Sequence, residues 1–249
     1  MPHILALHGF TGRGLDFEEL ARNSGNREAW SCPDLPGHGP KPAGDCSPNG
    51  MLRFIDSMTA GLERDAAEGR KLVGYSMGAR AALLHATTNP GTWDRLILIS
   101  PNPGISGSAE RAQRAQSDES LALRIEREGV PAFLEFWRAQ PLIRNQQNIP
   151  HPRRRALRAA RLGHTADGLA AALRSFGQGV CPDLWPRLSA IRCPVVLVHG
   201  TEDTRYTDIS KNMETALASA IRVPVQGVGH APHIEAPQTL ARLLYRHLG

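Results

Sequence analysis

Lysine is almost missing from this 249-residue chain: Lys41, Lys71 and Lys211 stand alone, so arginine supplies nearly all of the 29 basic side chains. Aromatic residues make up only 5% of it. No basic stripe is interleaved with them, which argues against nucleic acid as a partner. No apolar run approaches the ~20 residues that cross a bilayer, so no membrane insertion is expected. The first residues lack the basic stretch and long apolar segment of a secretory leader, and read as a core strand instead. Four cysteines, Cys32, Cys46, Cys181 and Cys193, are scattered without C-x-x-C spacing. They offer neither a zinc site nor a disulfide framework. A reduced, cytoplasmic protein with no metal is the expectation. Internal repeats, low-complexity tracts and flexible linkers are also missing.

What is present is a globular composition, 41% hydrophobic and 21% charged, on a chain long enough to bury one α/β core. Short apolar runs at Leu5-Ala6-Leu7, Trp30-Ser31, Leu72-Val73, Leu96 to Ser100, Val195 to His199 and Ile221 to Val225 read as strands. Helices are expected over Asp16 to Arg22, over Gly50 to Glu68 with Leu52, Ile55, Met58 and Leu62 on one side, and over Pro237 to Leu248. From Ser108 to about Phe176 the period is helical throughout: Ala109 to Glu128, Val130 to Arg138, Pro152 to Leu162 and Ala166 to Phe176. The predicted division is a core of residues 1–103 and 189–249 with a helical cap, or lid, inserted at 104–188. That insertion carries 13 arginines, no lysine and 8 acidic residues, so the chain's formal net charge of +5 resides entirely there.

The chain is organised around Gly74-Tyr75-Ser76-Met77-Gly78, a G-x-S-x-G segment between the Leu72-Val73 strand and a run of good helix formers. Such an elbow exposes a serine on a sharp strand-to-helix turn. Acid and histidine follow in the order of a Ser-acid-His triad: Asp203 in the loop after Val195 to Gly200, and His230 in the glycine-rich loop after the last strand. Asp208 is the alternative acid, with Asp203 then a loop cap, and His233 is the alternative base. The turn His8-Gly9-Phe10-Thr11-Gly12 would supply an oxyanion-hole amide from Phe10, paired with that of Met77. His38 reads as structural. The order is similar to that of the α/β-hydrolase fold: a mostly parallel central sheet flanked by helices, with an inserted helical cap.

Arg80 follows Ser76 by four residues, on the same face of the elbow helix. A cation in those first turns opposes the helix dipole, which makes an anionic neighbour, in particular the substrate, the expected partner. The elbow with Arg80, the run Ala109 to Asp118, the tract Phe136-Trp137-Arg138-Ala139-Gln140-Pro141-Leu142 and the segment Gln178 to Leu184 together resemble 2-succinyl-6-hydroxy-2,4-cyclohexadiene-1-carboxylate (SHCHC) synthases of menaquinone biosynthesis. The resemblance implies a cofactor-free lyase that eliminates pyruvate from 2-succinyl-5-enolpyruvyl-6-hydroxy-3-cyclohexene-1-carboxylate, in a menaquinone or phylloquinone pathway. It implies further that Ser76, His230 and Asp203 act as a base, that Arg80, Arg114 and Arg161 bind the carboxylates of a small polycarboxylate substrate, and that Tyr75 and Trp137 line the pocket. A monomer or weak homo-oligomer is expected. Two features depart from that family: Ala79 stands where a second glycine is common, and the chain begins almost on the strand before His8, implying one or two fewer edge strands. The alternative is a serine hydrolase of a small acidic ester, thioester or carbon-carbon bond substrate, with Ser76 as covalent nucleophile.

Overall fold

A computed structural model describes residues 2–63 and 69–248. The chain runs β1 (Ile4–Leu7), α1 (Glu18–Asn23), β2 (Trp30–Ser31), α2 (Pro48–Ala60), β3 (Lys71–Tyr75), α3 (Met77–Thr88) and β4 (Arg95–Ile99). It continues through α4 (Ser108–Arg138), α5 (His151–Arg161), α6 (Ala166–Phe176), β5 (Val195–Gly200), α7 (Thr204–Ala216), β6 (Ala220–Val225), α8 (Pro232–Glu235) and α9 (Pro237–Leu248). Among the described residues the strands form one six-stranded sheet in the order β2-β1-β3-β4-β5-β6. Every pairing is parallel, with Leu7 opposite Gly74 and Tyr75 opposite Ile99 at the carboxyl ends.

A parallel sheet covered on both faces needs strands that are apolar on both sides, and the central ones are. Side chains alternate across a strand. Leu5, Leu7, Leu72, Leu96, Leu98 and Leu197 therefore enter one core with α2 and α3. Ile4, Ala6, Val73, Ile97, Val196 and Val198 enter the other with α1 and α9. Helix α2 starts where Ser47 caps the Gly50 amide, at 3.1 Å, and stops at Ala60, short of the expected Glu68. Leu62 lies beyond it, and the last five residues of that expected helix lie outside the described residues.

The segment between β4 and β5 is helical, with a core of its own in which Ile125 and Phe133 of α4 meet Leu169 and Leu173 of α6. Gly129 bends α4 with φ 76°, a value glycine adopts without strain, so the two helices expected from sequence appear as two arms of one kinked element. Pro131 opens the second arm, where its missing N–H costs nothing. Phe10 and Trp137 pack against this third core, which lays the helical segment over the carboxyl end of β1. No helix among the described residues is long and apolar enough to cross a membrane.

Candidate functional site

Ser76 sits between β3 and α3 with φ 51° and ψ −106°, a strained conformation for a residue with a Cβ. Its amide donates to Ile99 O at 3.0 Å and its carbonyl accepts from Arg80 N at 3.0 Å, so both neighbours hold the turn in place. The glycines around it are there for room. A Cβ on Gly74 would fall 2.6 Å from Gly78 O, and one on Gly9 would fall 2.7 Å from the Tyr75 ring. A Cβ on Gly78 would strike the Leu7 carbonyl.

Asp203 follows β5 and caps α7, its Oδ1 accepting from the Tyr206 amide at 3.2 Å. Its other oxygen, Oδ2, lies 2.7 Å from His230 Nδ1. A carboxylate only accepts, so this contact places the imidazole proton on Nδ1 and leaves Nε2 to accept from Ser76 Oγ, 3.2 Å away. Cap and partner are thus one residue. Asp208 is exposed and paired with Lys211 at 3.0 Å. His233 is fully buried, stacked 4.8 Å from Phe17, with neither ring nitrogen bonded to any group among the described residues. The geometry brings Ser76, His230 and Asp203 together and leaves both alternatives out.

The loop that carries His230 is held by residues the sequence does not mark. Glu235 accepts the amides of both flanking residues, Gly229 at 2.6 Å and Ala231 at 2.9 Å. Ser100 Oγ donates to the His230 carbonyl at 2.8 Å. Tyr206 lays its ring 4.3 Å from the imidazole and Tyr75 lays its own at 5.3 Å. Burial drives the Tyr75 phenol well above its usual range, so it stays protonated. The Phe10 amide donates to no acceptor among the described residues, and that of Met77, first in α3, has no intrahelical one.

The three arginines are placed differently from one another. Arg80 is buried, donates to Phe176 O at 3.0 Å and stands 5.5 Å from that ring. Its charge therefore meets the carboxyl end of α6, where the dipole is negative, whereas the sequence reading expected the substrate as its partner. Arg114 donates to Asp118 at 2.8 Å and to Gln178 Oε1 at 2.7 Å; Gln178 Nε2 in turn faces the Tyr206 hydroxyl at 3.4 Å. Arg161 donates to Gln146 at 3.0 Å and to buried Asp16 at 3.3 Å. Trp137 crosses Phe10 edge-on at 5.4 Å. Arg161 and Trp137 share the wall of a cavity of about 460 Å³ with Thr11, the neighbour of Phe10.

Around the turn His8 to Gly12 lies a cluster of neutral histidines. His8 bonds to Gly9 O at 2.8 Å and accepts the Leu35 amide at 2.9 Å. His164 accepts from Gly39 N at 2.8 Å and reaches Thr11 O at 3.0 Å. His38 stands between them, 4.8 Å from one ring and 5.5 Å from the other. Burial is the main reason all three titrate low, His164 at about 4. Among the described residues no group of side chains is set to hold a metal ion. The four cysteines are free, and burial pushes Cys32 up to about 12. A serine in this setting serves as a base or as a nucleophile.

A family model described as the alpha/beta hydrolase family matches residues 4–243. A Serratia proteamaculans protein named 2-succinyl-6-hydroxy-2,4-cyclohexadiene-1-carboxylate synthase is 30% identical over 99% of this chain and 93% of its own length. A Bacillus subtilis protein provisionally given the same name is 31% identical over 98% of this chain and 89% of its own. Among solved structures, MenH from S. aureus aligns with a TM-score of 0.88 at 26% identity, covering 99% of this chain and 94% of that one.

Proposed function

The chain belongs to the alpha/beta hydrolase family and, within it, to the SHCHC synthases, and on that premise we propose that it is a carbon-oxygen lyase. It eliminates pyruvate from 2-succinyl-5-enolpyruvyl-6-hydroxy-3-cyclohexene-1-carboxylate to give SHCHC. Ser76, its hydroxyl proton drawn toward His230, removes the ring proton whose loss is conjugated to the succinyl carbonyl. The amides of Phe10 and Met77 receive the negative charge that develops on that carbonyl oxygen. The bond from the ring to the enolpyruvyl oxygen then breaks, a diene remains, and the leaving enolate takes up a proton to become pyruvate. Water is not consumed and nothing is oxidised, so no cofactor is called for.

One observation carries this reading: two arginines reach residues that adjoin the Ser76, His230 and Asp203 array. Arg114 connects through Gln178 to Tyr206, whose ring lies against His230. Arg161 shares a wall with Trp137 and Thr11. Two planar forks set apart in this way suit a substrate with separated carboxylates, and hold it in one reactive pose. The segment 104–188 is then a cap whose positive charge faces a polyanion. Arg80 ties α3 to the end of α6.

The test follows pyruvate and diene absorbance together, with the precursor formed in situ, and runs an activated ester beside them. Matched release of the two products, abolished in Ser76→Ala and weakened roughly tenfold or more in Arg114→Ala or Arg161→Ala, is the expected result. Rapid ester cleavage without diene would replace the lyase by a serine hydrolase for acidic esters.

A further inference from the structure

The cavity of about 460 Å³ has in its wall none of Ser76, Asp203 and His230. It is enclosed by the end of α4, the 3₁₀ turn Arg144–Asn148 and α5. Its floor is apolar, made by Leu134, Ile143, Ile149 and Leu157. Its rim carries Arg138, Arg154, Arg155, Arg158 and Arg161 against a single carboxylate, Glu135. That carboxylate is already shared by Arg138 and Arg158, the latter at 3.0 Å. Arg161 is engaged by Asp16, and Arg154 leans on the Gln147 carbonyl, which bears no net charge. Arg155 has no partner among the described residues. Trp137 adds a buried indole N–H without an acceptor. An apolar floor under a cationic rim, with an idle donor between them, is complementary to a ring that bears carboxylates. The volume falls within the few hundred to ~1,000 Å³ of small-molecule sites.

A ligand lodged here touches none of those three side chains, yet Thr11 and Arg161 place it beside the turn His8 to Gly12. We infer that this cavity is an outer docking site, where a cyclic polycarboxylate is captured through Arg154 and Arg155 before Arg161 draws it in toward Ser76. The inference rests on the polyanionic substrate of the lyase reading. It also accounts for the clustering of arginine on α5, since low-dielectric walls lined with one sign of charge focus the field and raise capture rates. Arginine suits the role better than lysine, because a weakly hydrated fork hands a carboxylate from one bidentate partner to the next.

Two measurements on the full chain test this. Binding of benzene-1,3-dicarboxylate, an unreactive ring acid, is followed by calorimetry in the wild type, in Ser76→Ala and in the double variant Arg154→Gln/Arg155→Gln. Steady-state pyruvate release is followed over a series of salt concentrations. The expected result is binding in wild type and Ser76→Ala, weakened roughly tenfold in the double variant, together with a similar fall in kcat/KM that comes from KM and a flatter salt dependence. Dicarboxylate held through these arginines by a protein that releases no pyruvate would retire the lyase reading and leave the anion site standing. Absence of dicarboxylate binding by the wild type overturns the inference, as does a double variant with wild-type affinity and KM. A fall of kcat in step with kcat/KM overturns it too, because it would put these arginines on the transition state.

Discussion

At the scale of single residues, His230 is held through its backbone as well as through its ring. One carboxylate, Glu235, takes the amide on either side of it, and Ser100 takes its carbonyl. Ser100 itself adopts φ 47° to do so. Glutamine at 235 keeps one acceptor and presents an amide to the other N–H, so one of two charge-assisted bonds is lost and two donors face each other. Glu235→Gln is expected to lower kcat about tenfold or more with KM little changed, because small misplacements of a base are costly. Stability should fall by about 1–3 kcal/mol in urea titration. A wild-type kcat in that variant would mean that the carboxylate merely closes the loop. The meeting of Ser76, Asp203 and His230 was legible in the sequence because each occupies a turn with a chemical signature. Glu235 was not, since a carboxylate that binds backbone amides leaves no pattern of its own. Arg80 was half legible: the dipole argument called for negative charge nearby, and the fold supplied it from a helix end 96 positions away.

At the scale of elements, the elbow is limited by contact between backbones. Gly78 lets α3 press onto the end of β1, and an alanine methyl there would lie 2.6 Å from His8 O as well as against Leu7. The Leu7 carbonyl belongs to β1 and cannot move without disturbing the sheet. Gly78→Ala is expected to cost about 3 kcal/mol and to disturb the turn His8 to Gly12. Its neighbour behaves oppositely. Ala79 is wholly buried and helical, so the departure from the glycine common at this position is tolerated and stabilising. Ala79→Gly should lose about 1–2 kcal/mol while retaining activity, as denaturant titration and the pyruvate assay would show. Helices α6 and α9 match their expected bounds, because Thr165 and Pro237 are strong start signals. Strands were legible from apolar runs, but strand order was not, since no local pattern tells β1 that it will pair with β3.

At the scale of the whole molecule, cationic and titratable groups are segregated. Arginines crowd the helical segment, while imidazoles, His164 of that segment among them, are buried where it meets the carboxyl end of β1. His8, His38, His164 and His233 are each held neutral, chiefly by loss of hydration, and lie below the ordinary value of about 6.5. Their burial was hidden in the sequence, where ten histidines show no spacing that sets these four apart. The unfolded chain binds protons at these sites near pH 6.5 and the folded chain does not, so protonation favours unfolding. The stabilisation is complete above pH 6.5 and is withdrawn as pH falls, for His164 until about pH 4. Each group that titrates only when unfolded contributes a slope of about 1.4 kcal/mol per pH unit. Urea titrations between pH 7 and 5 should therefore show a steep loss of stability that begins before the carboxylates protonate. His38 has one ring nitrogen without a partner and stands between two other rings, so it is the member to remove. His38→Gln should reduce the slope by close to one proton's worth, whatever it does to stability at pH 7. An unchanged slope would mean that His38 takes up its proton in the folded protein, and that burial does not keep this cluster neutral.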